Sequence, residues 1–172
     1  MTVDEMKDRI VEDGWCVVEE VIPSAEVEGV RESILATAVA HRLADPRRKL
    51  DKVSGLINFD QSFAPYLAEP RLLGLCQAFL GPHLRVSYTT CMVTHPGHAR
   101  GAWHADWPFN QQNAGHVPAP YPDAIMHLTT IWMLTGFSAE NGTRIVPGTH
   151  RESNNPSGAN GVDPLAPHPQ EM

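Results

Sequence analysis

A change of hydrophobic period at Gly81-Pro82 limits how this chain can fold more than any other feature. The chain's three helical stripes, with apolar residues every three or four positions, all lie before it, and its longest alternating segments lie after it. Residues 4–12 put Met6, Ile10 and Val11 on one side of a short amphipathic helix. Pro23-Ser24 opens a second helix running to about Arg42. Ser24 reads as its N-cap, Glu26 and Glu28 suit the positive end of its dipole, and Val27, Val30 and Ile34 form its stripe. Pro70 starts a third helix with Leu72, Leu73, Cys76, Phe79 and Leu80 as its apolar face, and Gly81-Pro82 stops it. Between these elements, Trp15 to Val21 reads as a strand and the polar residues 44–62 read as loop.

The helical stripes must be buried against something, and the alternating segments downstream are the available partner. Leu84 to Thr94 is a long extended run. Val86, Tyr88 and Met92 share one face, suited to helix packing; Ser87, Thr89 and Cys91 share the other, suited to a polar cavity. Met126 to Leu134 returns to strand character, with Met126, Leu128, Thr130, Trp132 and Leu134 on one face. A turn follows at Ser138 to Gly142, then a short strand at Thr143 to Val146 and the turn Pro147-Gly148-Thr149-His150. Half of residues 151–172 are Ser, Asn, Gly or Pro, so no helix or strand is expected there. At 172 residues the chain suits one domain: a helical part at 1–82, a strand-bearing part at 83–150 and a loop-like tail at 151–172.

Charge and cysteine usage narrow the partners. A formal charge of −7 repels phosphate backbones and anionic lipids, which argues against nucleic acid or a membrane surface. Arg47-Arg48-Lys49 is flanked by Asp45 and Asp51 and reads as a solvated turn. Cys16, Cys76 and Cys91 are odd in number and widely spaced, so a reducing, cytoplasmic setting is expected. Met1 to Ile10 lacks the apolar core of a signal peptide, and no apolar run reaches membrane-spanning length.

Chemistry concentrates in Trp103-His104-Ala105-Asp106-Trp107-Pro108. On an extended segment His104 and Asp106 project to the same side, because strand side chains alternate. One imidazole and one carboxylate converging on a point are two thirds of the 2-His-1-carboxylate triad that holds non-haem iron(II) with open positions. The aperiodic stretch 107–125 that follows is long for a plain connection and carries Trp107, Phe109 and Tyr121, which suits a lid or substrate wall.

The order of these features resembles the phytanoyl-CoA dioxygenase family. The resemblance rests on Trp103-His104-Ala105-Asp106, the Pro-rich excursion, a strand, and Glu140-Asn141-Gly142 followed by Val146-Pro147-Gly148-Thr149-His150. It implies a mainly β fold with flanking helices, a double-stranded β-helix (a jelly-roll, cupin-like barrel). It implies Fe(II) as cofactor and 2-oxoglutarate as co-substrate, which is decarboxylated to succinate while a C–H bond of a small molecule is hydroxylated. Residue by residue, His104 and Asp106 match the first two metal ligands. Trp132, Thr89 and Cys91 match positions lining the 2-oxoglutarate pocket, and His150 matches a recurrent part of the family's turn. The family pattern also calls for a later histidine, a nearby arginine for the far carboxylate of 2-oxoglutarate, and further barrel strands. None falls within these 172 residues, so the barrel is expected to be incomplete at the C-terminus and this chain by itself inactive. His116, His127 and His168 are poor substitutes, His127 because it lies on the opposite strand parity from Trp132.

Two other readings stay open. One is a catalytically silent binding domain that pairs with a partner or with itself through an open barrel edge. The other is a cupin-type metalloenzyme that uses no 2-oxoglutarate, which typically needs His-x-His where Asp106 stands here. The substrate, whether a coenzyme A thioester, an amino acid or a secondary metabolite, is not legible.

Overall fold

The computed structural model describes residues 1–106, 120, 123–152 and 166–172. The expected lid residues Trp107, Phe109 and Tyr121, and His116, lie outside the described residues. Three helices and a three-stranded antiparallel sheet make up its regular structure: α1 (Val3–Asp13), α2 (Ser24–His41), β1 (Leu43–Asp45), β2 (Leu50–Ser54), α3 (Pro70–Leu80) and β3 (Thr90–Thr94). No barrel closes among the described residues, and no helix among them is long and apolar enough to cross a membrane.

Each helix is closed by local chemistry. Thr2 and Glu5 form a reciprocal capping box at the start of α1, and Gly14 ends the helix at φ 88°, a left-handed geometry open to glycine at little cost. Pro70 occupies the first turn of α3, where its missing N–H is no loss, and the Glu69 carboxylate accepts from Leu72 N at 2.9 Å. For α2 the expected cap is corrected: Ser24 is the first helical residue, Pro23 takes the cap position, and no side chain caps that end. α1 packs on α3, where Gly74 admits the Val3 side chain. Met6 is buried in α1, and Leu72 and Leu75 in α3; complete burial of a side chain such as Met6 contributes about 1.5–3 kcal/mol.

The main core lies between α2 and the sheet. Val30, Ile34 and Ala38 from α2 meet Val53 of β2, with Leu56 and Phe63 from the following 3-10 turns and connections. Asp60 is the buried polar residue at this edge. Burial pushes its carboxyl up, but hydrogen bonds from Ser62, Ser33 and Thr37 outweigh that and hold it below the usual range.

Four sequence expectations are corrected here. Residues 44–62 are not plain loop: β1 and β2 form a hairpin in the register Leu43↔Lys52 and Asp45↔Leu50, followed by a 3-10 turn at Leu56–Asn58. Its strands escaped detection because of their five β2 residues only Val53 is fully buried, leaving little alternation to read. Trp15 to Val21 has no ladder partner among the described residues and is not a strand there.

The third correction is the facing of β3. It spans only Thr90–Thr94, with Cys91 opposite Val53 and Met92 opposite Lys52. Because Val53 points into the core, Cys91 and Val93 follow it inward, while Val86, Tyr88 and Met92 are exposed. Residues 126–134 likewise have no ladder among the described residues, although Leu134 still packs on the core.

Candidate functional site

His104 and Asp106 sit on the irregular segment that follows β3, and their two-residue spacing brings the side chains together: His104 Nε2 lies 3.5 Å from Asp106 Oδ1. The pair is open to solvent, with 66% of the His104 side chain and 44% of Asp106 exposed. His104 Nδ1–H donates to Ala102 O at 2.9 Å, which fixes the ring and leaves Nε2 as the atom facing the carboxylate. The Asp106 carboxylate beside it and the Ala102 carbonyl push the imidazole up to about 9. Asp106 moves the other way, to about 2: the His104 hydrogen bond outweighs burial, and the Thr129 hydroxyl adds to it.

Thr129 joins the pair from the far side of the Pro-rich excursion. Its hydroxyl donates to Asp106 Oδ2 at 2.5 Å. Since that uses its single proton, the 2.9 Å contact with His127 must run the other way, with His127 Nε2–H donating to the Thr129 oxygen. The result is a chain from His127 through Thr129 and Asp106 to His104. Thr129 is not singled out by the sequence, and His127 is set aside there as a poor substitute ligand. The usable signal was their i, i+2 spacing, which puts both on one side of an extended segment, opposite to Trp132.

The other anticipated residues are placed as follows. Trp132 is half-buried, and its indole N–H donates to Thr130 Oγ1 at 3.0 Å. Thr89 holds the turn after β2: its hydroxyl accepts from Ile57 N at 3.0 Å and its carbonyl from Gly55 and Leu56 N. Cys91 packs beside the core, and burial pushes its thiol up. His150 belongs to the end of α1. Gly148 N donates to Asp13 O at 2.9 Å, His150 Nε2 contacts Val11 O at 3.2 Å, and the Arg151 guanidinium donates to the same carbonyl. A Cβ on Gly14 would lie 2.5 Å from His150 Nδ1, so the glycine also makes room for the imidazole. The Pro-Gly-Thr-His turn therefore caps a helix that begins the chain.

A second cluster borders the segment that carries His104. The Glu171 carboxylate accepts from Arg100 at 2.7 and 3.1 Å, from Arg144 at 2.5 Å and from His168 N at 2.8 Å. These four donors, led by Arg100, hold its carboxyl down to about 2. The Arg100 guanidinium lies 4.6 Å over the Trp103 ring, and the Trp103 indole donates to Ala166 O at 2.9 Å. Nothing local in the sequence marks an ion pair that spans 71 residues.

An imidazole nitrogen and a carboxylate oxygen 3.5 Å apart can both reach one divalent ion at bonds of about 2 Å, and that donor set suits iron(II). Among the described residues no group of three His, Cys, Asp or Glu side chains converges to complete the set. In comparisons with known proteins, the family model for phytanoyl-CoA dioxygenase (PhyH) matches residues 10–171. No curated protein and no solved structure matches the chain. The match runs from α1 through the His104–Asp106 pair to Glu171, and the chain belongs to the phytanoyl-CoA dioxygenase family.

Proposed function

We propose that this chain is an Fe(II)- and 2-oxoglutarate-dependent dioxygenase that hydroxylates a C–H bond of a small molecule, with His104 and Asp106 as two of its metal ligands. The observation that carries this reading is the approach of His104 Nε2 to Asp106 Oδ1 on an open face, with Nδ1 tied to Ala102 O. Iron with bound 2-oxoglutarate supplies the oxidising chemistry; the protein supplies ligand geometry, substrate placement and exclusion of water. With Nδ1–H engaged by Ala102 O, Nε2 is the His104 atom that would hold the metal, at the position where it now faces Asp106 Oδ1. Thr129 holds Asp106 through Oδ2, leaving Oδ1 for the metal. Trp132 is kept as a wall of the co-substrate pocket. Thr89 and Cys91 leave the proposed site, since the first is engaged by the turn after β2 and the second by the core. The jelly-roll barrel of the family, with β3 as one of its strands, is part of the same proposal.

Anaerobic titration of Fe(II) in the presence of 2-oxoglutarate tests it. A visible charge-transfer band that disappears in His104→Ala and Asp106→Ala, with thermal stability little changed, supports the reading. Absence of the band in the unaltered chain overturns it. That result would favour a second reading, a silent binding domain, for which the exposed row Val86, Tyr88 and Met92 offers an apolar face.

A further inference from the structure

The segment that carries His104 has no ladder of its own: residues 98–105 are irregular in the described structure. The His104 side chain is mostly solvent-exposed, so packing around the ring does not set its direction. Its ring is tied to Ala102 O, so its direction follows the backbone of this segment, to which the side chains of Arg100 and Trp103 contribute anchors. Both are anchored on one short stretch, residues 166–172. Arg100 forks onto the Glu171 carboxylate, and Trp103 donates to Ala166 O. The stretch is fixed in turn on the other side: Met172 and Ile145 exchange backbone hydrogen bonds at 2.9 and 3.1 Å, and Arg144 donates to Glu171. Glu171 is thus the carboxylate joining the two flanks, and its side chain is only 13% exposed. A lone surface ion pair orders little, but a bidentate arginine–carboxylate pair shared with a second arginine and a backbone N–H is a network of another kind.

We propose that Glu171 is a positioning residue for the metal site: through Arg100 and Trp103 it fixes the backbone from which His104 projects toward Asp106. This rests on the reading of His104 and Asp106 as metal ligands. Glu171 touches neither of them. Its effect is on how often the two donor atoms are held close enough to share one ion.

The test is Fe(II) affinity, measured anaerobically by competition with a chromophoric chelator, for the unaltered chain, Glu171→Gln, Glu140→Gln and His104→Ala. Amide hydrogen exchange of the metal-free chains is followed alongside. Glu140→Gln changes net charge equally, and among the described residues no hydrogen bond or ion pair of the Glu140 carboxylate is seen. The expected result is about a tenfold weaker affinity in Glu171→Gln, in keeping with residues that orient metal ligands. Faster exchange at residues 100–104 should accompany it, with no change in Glu140→Gln. Conversion to Gln keeps the shape of the side chain, so a thermal midpoint within a few degrees of the unaltered chain separates positioning from unfolding. If His104→Ala loses affinity while Glu171→Gln does not, the inference is overturned and the metal site stands. If His104→Ala binds iron as well as the unaltered chain, the site reading fails and the inference falls with it.

Discussion

The Thr129 hydroxyl donates to Asp106 Oδ2, joining two residues separated by 23 positions and by the whole Pro-rich excursion. Asp106 therefore has one oxygen committed to the protein and one facing His104 Nε2, an arrangement that orients a metal-binding carboxylate instead of leaving it to rotate.

Removing that donor should be felt at the metal site. Thr129→Val is expected to weaken Fe(II) affinity about tenfold, whereas Thr129→Ser keeps the hydroxyl and should stay near the unaltered chain. Calorimetric titration under anaerobic conditions gives both values. Equal affinities for Val and Ser would mean that Thr129 only fills space.

Protonation of the metal-free pair is a separate expectation. Held up by the Asp106 carboxylate and then by the Ala102 carbonyl, His104 should titrate near 9, and Asp106→Asn should return it toward the ordinary 6.5. Proton NMR of the ring reads this directly. The sign for stability follows by linkage. The His104 contribution is complete below 6.5 and is lost as pH rises through about 9. The Asp106 contribution is complete above 3.8 and is lost as pH falls through about 2. The pair thus stabilises the fold most between these inner limits. A His104 midpoint at 6.5 in the unaltered chain would dismiss the ion pair.

The end of α1 offers a steric test. Gly14→Ala puts a Cβ on a left-handed backbone, at about 1–2 kcal/mol, and drives it into the His150 ring. His150→Ala in the same chain should recover the clash but not the backbone term. Chemical denaturation of the two single variants and the double variant separates these parts; additive losses would show that Gly14 and His150 do not meet.

Asp60 should prove costly to remove. Asp60→Ala strips acceptors from Ser62 N and the Thr37 hydroxyl at a buried position, with an expected loss of about 1–3 kcal/mol in denaturant unfolding. A change under a few tenths would place the site in water.

What the sequence made legible was whatever depends on neighbours a few residues apart. The convergence of His104 and Asp106 needs only two-residue spacing, and the start and stop of α3 are written locally, although the expected stripes include the exposed Val11 of α1 and omit the buried Leu75 of α3. The β1–β2 hairpin was missed because its short strands mix apolar and polar residues without a clear alternation, and their order comes from pairing with each other and with β3. The facing of β3 was read backwards: Tyr88 and Met92 look more apolar than Thr89 and Cys91, yet the register with Val53 turns Cys91 and Val93 inward. The clasp of Glu171 on Arg100 could not be read at all, and the i, i+2 spacing of His127 and Thr129 gives their shared side but not their partner Asp106. Ion pairs and hydrogen bonds between distant segments leave no periodic trace, and they are what surrounds the candidate site.

The cap on α1 also has a consequence in time. Its closing carbonyls at Val11 and Asp13 are met by Gly148, His150 and Arg151, which are made last among these residues. At about 5–20 residues per second of synthesis, the helix end waits on the order of ten seconds with only water for a partner. The first helix of the chain is thus among the last to be completed, and the N-terminal region becomes fully native only when the turn after the candidate site has left the ribosome.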